Sequence, residues 1–293
     1  MAETVRLEDV LRGLARNAVR LSIGTGEGLE IGRFGGQPDV PPDFEWPYFV
    51  TDAFCDDEIK PRPLSFLAQF DCAALTGLDA DGLLPGEGVL AFFYEAVSQR
   101  WGFDPEDAGC ARVYWFPDKA ALAPAEFPED MEEYCRFPAL PIRGRSEVEY
   151  PSYEEFSIRL DFLASCAASG QSPWKVFDKV RDGLRGSEES SPPWHRLLGW
   201  PDIIQGCMTQ ECELLSRGYS TGHGFEDIPL EVLEETEKTA MDHWRLLFQL
   251  DSGVGAEGFS LDFGDSGSVY FYIRKEDLAA RRFDRVWLIL QCC

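Results

Sequence analysis

Apolar residues recur along this chain in two textures. Near the start, Leu7, Val10, Leu11, Leu14, Ala18 and Leu21 fall at three- and four-residue steps, while Arg12, Arg16 and Arg20 line another face. That spacing predicts an amphipathic helix over 7–21. Farther on, the apolar residues gather into short runs at 64–71, 88–94, 112–116, 244–251, 267–273 and 285–291. Runs of this length, rich in aromatic and branched residues and bounded by Gly, Pro and Asp, predict buried strands. Helical stretches are expected at about 72–78, 153–168, 174–184 and 275–281. Gly186 to Pro193 reads as a flexible joint.

Two glycine-rich stretches interrupt the pattern. Gly24-Thr-Gly-Glu-Gly28 is followed by Phe34-Gly-Gly and then proline, so no helix can open there. A dinucleotide loop needs that helix, and a turn is the reading that remains. Pro38, Pro41, Pro42 and Pro47 then fall within ten residues and force an extended backbone around Trp46. Trp46 is expected as a rigid plug over a core, with the wall of a ligand groove as the other reading.

Four short blocks occur twice in the same order. Gly36, Pro38 and Asp39 match Gly199, Pro201 and Asp202. Leu67, Gln69 and Asp71 match Leu247, Gln249 and Asp251. Gly88 and Phe92 match Gly267 and Phe271, and Arg112-Val113 matches Arg285-Val286. This order predicts a duplicated unit. The expected division is a first unit with its helix over 1–117, a connector with helices over 118–195, and a second unit over 196–293.

Alternation along 66–71 places Leu67, Gln69 and Asp71 on one side, with Phe66, Ala68 and Phe70 on the other. An amide inside an apolar strand must find partners. Gln69 and Gln249 are therefore expected to bond backbone in the Gly-x-Pro-Asp turns. The alternative gathers Trp46, Gln69, Asp71, His195, Gln249 and Asp251 around a cleft between the halves.

Charge narrows the partners. The 293 residues include 27 Lys plus Arg against 52 Asp plus Glu, a formal charge of −25, with 44% hydrophobic residues. A surface this acidic repels nucleic acid and anionic lipid and attracts basic proteins. The segment 226–242 holds seven acids against Lys238 alone, and 126–133 is a second acidic run. Arg281, Arg282 and Arg285 near Trp287 are the exception, too small a patch to bind nucleic acid. No secretory leader or bilayer-spanning run is legible, and the nine cysteines are odd in number and irregularly spaced. Reduced thiols in a cytoplasmic protein are the expectation, with no metal and no cofactor.

Catalytic motifs fail on their second requirement. Gly264-Asp-Ser-Gly-Ser268 looks like a protease nucleophile loop, but His195, His223 and His243 lie in no matching context. Acids at 251, 257, 262 and 265 lack the spacing of a calcium loop.

Taken together, Gly35-Gly-Gln-Pro-Asp-Val-Pro with Trp46-Pro47, the run 63–71, the run 88–94, His195-Arg-Leu-Leu-Gly-Trp-Pro201, the run 244–251 and Gly264-Asp-Ser-Gly with the run 269–273 resemble the YwqG-like family of bacterial domains of unknown function. The resemblance covers nearly the whole chain. It implies a duplicated α+β fold and a cytosolic bacterial protein, and it supplies no catalytic residues. Relatives beside toxin genes imply an immunity or interaction role. The fold expected is α+β, with mainly antiparallel sheets, flanking helices and two halves fused into one globule. The expected function is a non-enzymatic binding protein, an acidic immunity-like partner of a basic toxin. The rival is a small-molecule or peptide binder, hydrolase-like in one version, using the cleft between the halves.

Overall fold

A computed structural model of the chain describes residues 2–53, 56–156, 170–185 and 195–293. Ten strands form one antiparallel sheet. From edge to edge it runs β16 (Trp287–Gln291), β15 (Ser268–Arg274), β12 (Trp244–Asp251), β11 (Arg196–Leu198), β1 (Arg16–Ile23), β10 (Leu140–Glu149), β2 (Leu29–Phe34), β6 (Ser65–Asp71), β7 (Val89–Tyr94) and β8 (Ala111–Phe116). Three two-stranded ribbons stand beside it: β3 (Asp39–Val40) with β9 (Ala123–Pro124), β4 (Tyr48–Ala53) with β5 (Asp56–Pro63), and β13 (Val254–Ala256) with β14 (Phe259–Leu261). The helices among the described residues are α1 (Ala2–Gly13), α2 (Cys72–Leu75), α3 (Tyr153–Phe156), α4 (Pro173–Arg185), α5 (Met208–Ser216), α6 (Leu230–His243) and α7 (Lys275–Ala279). None of them is long and apolar enough to cross a membrane.

The α+β class stands, but the separate sheets expected for the two halves are one sheet. Its middle is the β1–β10 pair, in register from Arg16 opposite Glu149 to Ile23 opposite Ile142. Outward from that pair, one wing adds β2, β6, β7 and β8, and the other adds β11, β12, β15 and β16. The expected helix over 7–21 is corrected by the same pair, because α1 stops at Gly13 and the rest is strand. With neighbours on both sides, β1 is buried at 17–21 on both faces. A strand buried on both faces shows no alternation, and its apolar residues fit a helical count equally well. Residues 118–195, expected as a connector, supply β10 to the middle of the sheet. Of the helix expected at about 153–168, the structure describes α3. The remainder, and the joint at 186–193, lie outside the described residues.

The sheet curls until the inner faces of its wings pack on each other. Phe92 meets Phe248 with centroids 4.9 Å apart and Phe271 at 5.3 Å, and Phe70 meets Phe248 at 5.4 Å. The curl nearly closes where the segment before β8 reaches β16. Leu290 donates its N–H to the Trp101 carbonyl, and Trp287 Nε1 donates to the Gly102 carbonyl, both at 2.9 Å. Gly102 has φ +78°, and a Cβ there would stand 1.8 Å from the Leu288 carbonyl oxygen, so the approach requires glycine.

Each wing also carries a bulge at a matching place. Register shifts between Phe66 and Ala68 in β6, and between Leu246 and Phe248 in β12. The bulge corrects the expected alternation. Leu67, Ala68 and Phe70 all join the inner core, and Phe66 turns outward to a separate cluster with Phe93 and Phe116. An extra residue in one strand resets the period-2 count. Gln69 and Gln249 thereby face outward, toward the layers that cover the wings. On the first wing that layer is the proline segment with Val40, Phe44 and Trp46; on the second it is α5, through Met208, Cys212 and Leu215. The acidic run 226–242 folds largely as α6, which buries Thr236, Ala240 and Met241 and leaves Glu231, Glu234 and Glu235 exposed.

Candidate functional site

The outward-facing glutamines hold the turns that the sequence paired with them. Gln69 Oε1 accepts from the Asp39 N–H at 2.9 Å, and its Nε2 donates to Asp39 Oδ2 at 2.8 Å. Arg33 joins them, donating to Gln37 and Gly35 carbonyls and pairing with Asp39 at 3.2 Å. On the other wing Gln249 Oε1 accepts from the Asp202 N–H at 3.1 Å. Arg196 pairs with Asp202 and donates to the Trp200 carbonyl at 2.8 Å. The backbone at both turns takes two successive left-handed residues: Gly35 and Gly36 at φ 56° and 70°, Leu198 and Gly199 at 60° and 72°.

The two copies differ in wetness. Arg33 and Asp39 are about one-third exposed, whereas Arg196 and Gln249 are fully buried. Glu149 pairs with Arg196 at 3.2 Å and with Arg185, extending the buried network. Burial pushes the Asp202 carboxyl up, against the pull of Arg196. Gln249 Nε2 and Arg196 Nε find no hydrogen-bond partner among the described residues.

The other expected site residues are also held by local bonds. Trp46 donates to the Leu64 carbonyl at 2.9 Å and packs against Phe44, Phe93 and Phe127, which is the plug arrangement. Asp71 caps α2 through the Ala73 N–H and pairs with Lys119 at 2.6 Å. His195 Nδ1 accepts from the Asp251 N–H at 3.0 Å, and burial drives its pKa down to about 3, with the charge of Arg20 adding to the shift. Ser268 donates its hydroxyl to Asp251 and not to the imidazole, so this trio lacks the serine–histidine bond of a nucleophilic site. The structure thus brings His195 to Asp251, and leaves Trp46 and Gln69 against the outer layer of the first wing. The interior between the wings, where a cleft was expected, is filled by Phe70, Phe92, Phe248 and Phe271.

An open hollow of about 620 Å³ lies instead at the seam beside the central strands. Gly13–Asn17, Asp81–Leu83, Leu198–Gly199, Asp242, Arg245–Leu246 and segments of α7 through Arg281 line it. Both wings therefore contribute. The α1–β1 junction is pinned there by the Trp200 indole, which donates to the Leu14 carbonyl at 2.8 Å. Arg16 lies over the same indole with Cζ 3.3 Å from the ring centroid. Among the described residues four non-glycines have positive φ, and two of them, Leu198 at 60° and Arg281 at 58°, line this hollow. Such conformations cost about 1–3 kcal/mol each and gather at binding and catalytic sites.

Sequence reading missed these residues. Arg16 had been placed on a helix face and Arg281 in a terminal basic patch. Arg245 stands inside the apolar run 244–251 and Lys275 opens the helical stretch expected at 275–281, and nothing in either marks the basic residue. The legible signal was basic residues standing in apolar surroundings of an acidic chain.

A curled antiparallel sheet, a hollow at its seam and two turn-buttressing glutamines make up the geometry of this chain. The chain belongs to the family described as "Domain of unknown function (DUF1963)", whose model matches residues 32–292 and to which the YwqG-like proteins belong. No curated protein matches the chain.

Wet and dry copies of the same amide contact should differ in energy. Gln249→Leu strands the Asp202 N–H in a dry setting and is expected to cost about 1–3 kcal/mol in urea titration. Gln69→Leu should cost less, since water can reach Asp39. Equal losses would contradict the distinction. His195 titrates near 6.5 unfolded and near 3 folded, so the unfolded chain takes up the proton first as pH falls. The stability it supplies is whole above pH 6.5 and drains away toward pH 3. His195→Asn keeps an acceptor for Asp251 without a titrating ring. The melting-temperature gap between wild type and variant should therefore shift in the variant's favour from about pH 7 to about pH 4; a constant gap would refute it.

Proposed function

We propose that this protein is a non-catalytic binding protein built by internal duplication, with its ligand held in the seam hollow. The hollow carries the reading: its volume suits a small molecule, and segments of both wings wall it. Duplication is supported by three correspondences. The strand order is the same outward from the central pair, the bulges fall at matching places, and each wing joins a glutamine to the backbone of a Gly-x-Pro-Asp turn. On this reading the twin glutamines are scaffold, and the site lies where segments of both halves meet. It lies near the expected inter-half cleft but uses other residues.

A second reading, capture of a basic protein partner, is supported by the β4–β5 ribbon. Tyr48, Val50 and Ile59 stand 42, 59 and 74% exposed on it. Tyr48 donates its hydroxyl to Asp130 at 2.9 Å, inside the acidic run 126–133. An apolar face beside unscreened acids fits a cationic, partly apolar surface.

The seam reading predicts where ligands are felt. In amide spectra of the full chain titrated with a small-fragment set, Gly13, Gly82 and Gly199 should move together, and Leu83→Trp should abolish the movement by filling the space. Fragment shifts confined to other glycines would sink the reading. For the second reading, a basic protein encoded beside this chain should bind at low salt and release when Asp130, Glu132 and Glu133 are changed to Asn, Gln and Gln. Binding that survives neutralisation removes that surface.

A further inference from the structure

The charge of the hollow is opposite to that of the molecule. Against a formal −25 for the chain, the hollow is lined by Arg16, Arg245, Lys275 and Arg281 and by two carboxylates, Asp81 and Asp242, a local balance of +2. None of the four cations forms an ion pair among the described residues, whereas their sequence neighbours do: Arg274 pairs with Glu213 at 2.9 Å and Arg282 pairs with Asp277. In a chain with almost twice as many acids as bases, four unpaired cations around one concavity are not what chance pairing gives.

Their donors are also largely unspent. Arg16 makes one hydrogen bond, to the Met241 carbonyl at 3.3 Å, and rests its flat face on Trp200. Arg281 gives one N–H each to the Leu83 and Leu84 carbonyls. Arg245 gives Nη1 to the carbonyls of Met241, Asp242 and Trp244, leaving Nη2 and Nε. A guanidinium has five N–H donors in a planar fork, so each retains edges able to grip an oxyanion. Lys275 stands exposed at α7, with its ammonium free to reach the rim. Asp81 is committed elsewhere, accepting from the Asn17 N–H at 3.1 Å.

Holding these cations together is unfavourable as it stands. Burial, and after it the neighbouring charge of Arg245, bring the Arg16 pKa down to about 9; burial lowers Arg245 as well. An anion seated between them would reverse both effects. The acidity of the rest of the surface does not forbid this. At physiological salt the screening length is about 8 Å, so an ion inside the hollow responds mainly to the lining charges.

We propose that the seam hollow binds a compact anion carrying two or more negative charges on phosphate or carboxylate groups, gripped by Arg16, Arg245 and Arg281 and steered by Lys275. This rests on the seam as the ligand site and adds the ligand's chemistry. The hollow is far too small for a nucleic-acid strand to lie in, and the surface around it is acidic; the fit is to a small metabolite-sized ion.

The test titrates inorganic phosphate, pyrophosphate and citrate into the full chain at physiological salt by calorimetry, with amide spectra following Gly13, Gly82 and Gly199. Saturable binding of pyrophosphate or citrate that moves those amides is expected, and the stronger of the two assigns phosphoryl or carboxylate recognition. Arg245→Gln and Lys275→Gln should each weaken it about tenfold or more, the loss expected of a charge-assisted bond. Lys275 is exposed, so its variant should fold, and an unchanged spectrum without ligand checks that it does. Anions that leave the three amides still, or bind both variants as tightly as wild type, overturn the proposal. If uncharged fragments move those amides while anions do not, the anion class falls and the seam reading stands. If neither does, both fall.

Discussion

The β1–β10 pair is the contact on which the rest depends. Without it the sheet falls into two wings, each with a raw inner edge. With it, the sheet is long enough to curl until Phe92 meets Phe248 and Phe271, and the wings supply each other with a core. The pair also fixes the seam. Ala18 in β1 stands opposite Leu198 in β11, so the start of β1 and the strained turn after β11 become neighbours, and Arg16 reaches Trp200. A site made of residues distant in sequence is a by-product of where this sheet had to be joined.

The buttresses show how one set of side chains acquires different properties from its surroundings. Glutamine, aspartate and arginine meet a Gly-x-Pro-Asp turn on both wings. On the first wing water shares the load. On the second, α5 and the segment around Glu149 shut it out, and the network must satisfy itself, leaving Gln249 Nε2 and Arg196 Nε without partners. Dry polar networks are rigid when complete and costly when not. The second wing's turn, which borders the hollow through Leu198 and Gly199, therefore carries that cost.

Much of the fold was legible because six of the strands announce themselves. β6, β7, β8, β12, β15 and β16 are apolar runs with clear turn punctuation. The glutamine contacts were legible too, since an amide in such a run has few places to go. The two central strands were not. β1 is buried on both faces and imitates a helix, while Arg143, Arg145, Glu147 and Glu149 make β10 look like a loop. Glu149 is covered by Arg185 and Arg196, Glu147 pairs with Arg145 and Arg143 with Glu30, pairings no local pattern reveals. The hollow was illegible for the same reason. Its cations come from the start of β1, the start of β12 and the two ends of α7's neighbourhood, and only the sheet order brings them together.

The place of β1 in the chain has a consequence for biosynthesis. It precedes the other described strands in sequence, yet its partners are β10 and β11, the latter about 180 residues downstream. At about 5–20 residues per second, a ribosome needs roughly 10–40 s to supply the second of them. Until β10 follows, both edges of β1 are open to other chains, and one edge stays open until β11. The nascent chain therefore carries this strand incompletely paired for most of its synthesis. A ribosome that stalls between β10 and β11 releases a product with one open edge at the centre of its sheet, a natural target for holding chaperones and for proteolysis.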